Sequence, residues 1–87
     1  MEGQNMAKIW IVRERMLWAD NPFPYENTTA YTTKKMAMKY MREKWREIKG
    51  LYRKEIELED ICDTIRKFQT NNLDCYSIWV EQIEVNK

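Results

Sequence analysis

The stretch "EIELEDICDTIRKF", Glu55 to Phe68, decides how this chain is assembled. Its acids Glu55, Glu57, Glu59 and Asp60 come first and Arg66 and Lys67 near the end, the polarity that suits a helix dipole. Leu58, Ile61, Cys62, Ile65 and Phe68 recur at close to the 3.6-residue period of an apolar helical stripe. The stretch is therefore read as an amphipathic helix. Beyond it, "QTNNLD" carries an Asn-Asn turn signal. "CYSIWVEQIEV", Cys75 to Val85, then reads as a closing strand, with Tyr76, Ile78 and Val80 on one side and Trp79, Ile83 and Val85 on the other.

Working back from Glu55, "KKMAMKYMREKWREIKGLYRK", Lys34 to Lys54, places Ala37, Tyr40, Met41, Trp45, Ile48, Leu51 and Tyr52 on one helical face. Thr32 and Thr33 supply an N-cap hydroxyl for a helix beginning at Lys34, and Gly50 is a point where it would bend or end. Further upstream, "KIWIVRERMLW", Lys8 to Trp18, is rich in β-branched and aromatic residues and reads as a strand. "ADNPFPYEN" is a loop, because its two X-Pro bonds interrupt a regular ladder. "TTAY", Thr28 to Tyr31, returns beside the first strand as the second arm of a long hairpin.

The expected fold is a single α+β domain over residues 1–87, with the order ββααβ. It is a three-stranded antiparallel sheet with two helices packed on one face and the first strand in the middle. At 87 residues one core is all the chain can build. Its 44% hydrophobic and 13% aromatic residues set it apart from disordered chains.

Charge singles out one surface. Residues 34–54 carry nine Lys and Arg against two Glu, whereas residues 55–87 carry three basic and eight acidic residues, within a net charge of +1. Advancing 100° per residue puts Lys35, Lys39, Arg42, Arg46, Lys49 and Arg53 in a sector about 80° wide, opposite the apolar stripe. Solvated helix faces normally mix signs, so this ridge is the first candidate contact. It suits nucleic-acid phosphates or an acidic groove on a protein. Phe23 and Tyr25, stiff aromatics flanking Pro24, are the second candidate, as interface anchors; otherwise they fold back over the sheet.

Catalytic chemistry finds no support in this composition. There is no histidine, and Ser77 is the one serine, so a Ser-His pair is excluded and Cys62 and Cys75 have no imidazole base. The glycines are isolated, without a phosphate loop. Glu57, Glu59, Asp60 and Asp63 read as helix-dipole partners rather than a metal site. The two cysteines are expected to be free, small buried hydrophobes. No apolar run reaches membrane-spanning length and the N-terminal residues lack signal-peptide order, so the expected location is the cytoplasm. No catalytic residue, cofactor or metal is expected.

"KIWIV", "AYTTKKMAMKYM" and "SIWVEQIEV" together resemble small accessory proteins of phages and other mobile elements, in which an initial strand, a Thr-capped helix and a closing strand recur. That group includes anti-CRISPR proteins, which bind a Cas effector or its guide complex. The resemblance implies a non-enzymatic inhibitor that occludes a host defence nucleoprotein, with the basic ridge as the main contact. The alternatives are a small nucleic-acid-binding accessory protein using the same ridge on phosphates, and a plain structural or dimerising module.

Overall fold

The computed structural model describes residues 6–86. β1 (Met6–Leu17) and β2 (Tyr25–Tyr31) precede a single helix, α1 (Lys34–Leu51), and β3 (Ile56–Ile61), β4 (Ile65–Thr70) and β5 (Cys75–Asn86) follow it. All five strands form one antiparallel sheet in the order β2-β1-β5-β4-β3. The expected ββααβ order with three strands and two helices is thus corrected to ββαβββ with five strands and one helix.

The correction falls on the opening stretch. Residues 55–68 form a hairpin whose turn is closed by a hydrogen bond from the Cys62 N–H to the Ile65 carbonyl, 2.8 Å. Four members of the expected helical stripe, Leu58, Ile61, Cys62 and Ile65, are exposed, and Phe68 alone is buried. The same letters satisfy a period of two: Ile56 and Leu58 alternate with Glu55, Glu57 and Glu59, a strand pattern. β4 gains a ladder on each side, to β3 and to β5. Two ladders satisfy the backbone groups a helix would pair locally, and they place Phe68 opposite Tyr76 in the core.

The other elements hold with small shifts. β1 lies between β2 and β5, as expected of the first strand, although β5 is the middle of the larger sheet. β2 begins at Tyr25, directly after Pro24, and pairs Tyr25 with Met16. Helix α1 starts at Lys34, where the Thr33 hydroxyl accepts a hydrogen bond from the Met36 N–H at 3.2 Å. It runs through Gly50 and stops at Leu51, where the Tyr52 N–H bonds the Lys49 carbonyl. The turn after β4 is held by Thr70, whose buried hydroxyl accepts from the Asn72 and Asp74 N–H groups.

The core lies between α1 and one face of the sheet. Val12 and Met16 of β1, Tyr76, Ile78 and Val80 of β5 and Phe68 of β4 meet Ala37, Met38, Met41 and Trp45 of α1. Tyr40, Ile48 and Tyr52 pack at its edge as the helical phase requires. Leu51 does not, being 71% exposed at the last position of the helix. Cys62 is exposed and Cys75 half-buried, so the thiols are free, but they are not the buried hydrophobes expected. Gly50 has open space where a Cβ would stand and lies inside the last turn of α1. Gly50→Ala should therefore stabilise the protein by about 0.5–1 kcal/mol, since glycine loses the most backbone entropy in a helix. A denaturant midpoint that fails to rise would count against this.

Candidate functional site: a basic concavity and an aromatic groove

The outer side of α1 carries the ridge. Lys35, Lys39, Arg42 and Arg46 are exposed, Lys49 is half-buried, and Arg53 is exposed in the turn beyond the helix. The structure divides them. Arg42, Arg46, Lys49 and Arg53 border a concavity of about 380 Å³ floored by Trp45 and Gly50, whereas Lys35 and Lys39 lie outside it, toward the helix N-terminus.

A fifth cation completes this site from the sheet. Arg66 stands opposite Ile78 in the β4–β5 ladder, and it too borders the concavity. Its Nε is buried and has no hydrogen-bond partner, an unsatisfied donor whose burial is costly until an acceptor arrives. The helical reading of residues 55–68 makes Arg66 a dipole partner at a helix end and so misses it. A strand assignment for Ile65–Thr70 places Arg66 on the same face as Phe68, and that alternation is the signal that could have found it.

The ridge is partly neutralised at one point. Lys49 Nζ lies 2.5 Å from Glu59 Oε2 of β3 and 5.8 Å from the centre of the Trp45 ring, so an acid and an aromatic face both hold it. Among the described residues no other ridge member forms an ion pair, and Glu47 instead approaches Lys44, off the ridge, at 3.9 Å. Arg42, Arg46, Arg53 and Arg66 are left as uncompensated charge around one hollow. Guanidinium forks of this kind match the oxygens of phosphate or carboxylate.

Tyr25 lies at the opposite flank of α1, and Phe23 in the loop that precedes it. Phe23 is 76% exposed in a loop where its N–H bonds the Asn21 side chain at 2.9 Å. Tyr25 opens β2 and borders a second groove of about 290 Å³, shared with Lys44, Ile48, Leu51 and Tyr52 of the helix end and with Glu14 and Trp18 of the first arm. The Tyr76 hydroxyl donates to Glu14 Oε2 at 2.8 Å. Burial, and then this bond to Glu14, push the Tyr76 hydroxyl well above the usual tyrosine range. Being raised, it contributes stability that is full below pH 10.0, the ordinary value, and is lost only as alkali rises beyond it. Burial also raises Tyr40, with the charge of Glu14 adding to it.

No family model, curated protein or solved structure matches this chain. Among the described residues no group of three or more His, Cys, Asp or Glu could hold a metal ion, and no helix is long and apolar enough to cross a membrane.

Proposed function

We propose that this chain is a non-enzymatic binding protein that grips the nucleic-acid phosphates of a nucleoprotein through its basic concavity. The observation carrying this reading is that Arg66, reaching from β4, joins Arg42, Arg46 and Arg53 around one hollow with its buried Nε unpaired. Phosphate oxygens supply the acceptors and the charge that such a site lacks. Ile61, the ladder partner of Arg66, is 52% exposed beside it. An apolar contact there serves a protein surface rather than a bare phosphate chain, which favours a nucleoprotein over free nucleic acid. The resemblance to mobile-element accessory proteins supports the finer version. There the partner is a host defence complex in the host cytoplasm, such as a Cas effector with its guide, and the effect is occlusion in the manner of an anti-CRISPR inhibitor.

The test is salt dependence. With about four phosphates neutralised, affinity for random duplex or single-stranded RNA should fall roughly a hundredfold between 50 and 200 mM salt, following the release of condensed counterions. An affinity that stays flat over this range, or no binding at low salt, would overturn the phosphate reading in favour of an acidic protein groove.

A further inference from the structure

Glu14 is a charged residue in the core that the basic concavity leaves unused. It is 3% exposed and occupies a helix-facing position of β1 between Val12 and Met16, both buried. One carboxylate oxygen takes the Tyr76 hydroxyl, while Oε1 is buried without a hydrogen-bond partner. Holding a carboxylate oxygen away from water with no donor is costly, and a small domain has little stability to lose. A site that tolerates that cost beside a surface groove is a candidate for a ligand that brings the missing donor.

The groove beside it has the matching character. Trp18, Tyr25 and Tyr52 contribute aromatic surface, and Glu14 and Lys44 are its charged members. Aromatic faces attract cations. The last turn of α1, through Ile48 and Leu51, borders the same groove, so the negative end of the helix dipole lies at it. The rim is apolar and open: Leu51 is 71% exposed and Ile48 beside it half-buried. Those side chains offer nothing to a free amine, but they would cover a polypeptide carrying one.

We propose that this groove receives a lysine side chain presented by a protein partner, its ammonium donating to Glu14 Oε1 and its stem lying against Trp18, Tyr25 and Tyr52. Lys44 is the chain's own competitor for that oxygen. Its Nζ lies 3.9 Å from Glu47, and no hydrogen bond from it reaches Oε1. The groove is on the opposite flank of α1 from Arg66, so this inference stands or falls separately from the phosphate site.

The probe is Nα-acetyl-lysine methylamide, titrated while following the Trp18 indole N–H resonance, with the norleucine analogue and n-butylammonium as comparisons. The lysine probe should shift that resonance saturably and bind at least tenfold more tightly than either comparison. Glu14→Gln, close to isosteric, should weaken it at least tenfold. Equal binding of the norleucine analogue would make the groove merely apolar and overturn the proposal without recourse to any variant. Equal binding of n-butylammonium would assign the site to free amines, overturning the protein partner. A folded Glu14→Gln that binds unchanged, or a wild-type resonance that does not move, would overturn it as well.

Discussion

Replacing Trp45 with alanine is expected to lower folding stability by about 3–5 kcal/mol, the range for emptying a buried aromatic site. Trp45 is 5% exposed. Its ring centre lies 5.7 Å from that of Phe68 and 6.2 Å from that of Tyr76, so one side chain from α1 packs on both β4 and β5. Aromatic pairs of this geometry add about 0.5–1.5 kcal/mol beyond the area they bury. Phe68 in turn packs on Tyr52 and Tyr76, and Tyr76 anchors Glu14, so the cavity opens at a junction that cannot collapse by moving one neighbour. A domain this small has a total stability of roughly 5–15 kcal/mol, and the variant should be partly unfolded or melt far below the parent. The measurement is the denaturant midpoint at unchanged slope. A loss below about 1 kcal/mol would show that Trp45 is not the bridge between helix and sheet.

That bridge also marks how far the sequence could be followed. Trp45, Met41 and Ala37 were legible because a helix repeats its face every 3.6 residues whatever it packs against. The Thr33 cap was legible because its partner is three residues away, and β1 because its apolar residues occupy both parities. Residues 55–68 obey two periods at once. There the choice between helix and hairpin is made by β5, a partner outside the window, which offers β4 a ladder and Phe68 a place opposite Tyr76. The candidate site suffers in the same way. Its helical half was visible as a charge pattern, but Arg66 joins it only through strand pairing, and Glu59 reaches Lys49 only once β3 is a strand. Phe23 and Tyr25 stood out by residue type, which says nothing about position; the fold sets Tyr25 on the far flank of α1 and leaves Phe23 exposed in the loop before it.

The paired substitution Arg42→Glu with Arg46→Glu is expected to abolish binding to nucleic acid while leaving the fold intact. Both side chains are exposed on α1, and among the described residues neither forms an ion pair, so no native contact is broken. Surface changes of this kind shift stability by about 0.5 kcal/mol or less: the i,i+4 repulsion between positions 42 and 46 persists as a Glu–Glu pair, while the i,i+3 pairs of position 42 with Lys39 and of position 46 with Lys49 become opposite in sign, a gain of about a few tenths each. Binding responds differently, because each reversal deletes an attraction and adds a repulsion against the same phosphates. With two fewer phosphates neutralised, the salt slope also flattens by about 1.8 for duplex DNA. Lys49 and Arg53, at the helix C-terminus, serve the dipole whether or not a partner is present, and so they discriminate less well than Arg42 and Arg46. Arg66→Gln separates a concave site from a general basic face. It keeps a polar side chain but loses the buried Nε, and it should cost at least as much affinity as reversing an exposed ridge lysine such as Lys35→Glu. The readouts are a titration against random duplex and RNA and a melting curve for each variant. If the double reversal binds like the parent at an unchanged melting temperature, the ridge is a solvated helix face. If Lys35→Glu weakens binding more than Arg66→Gln does, the contact runs along the exposed helix and the concavity is not its centre.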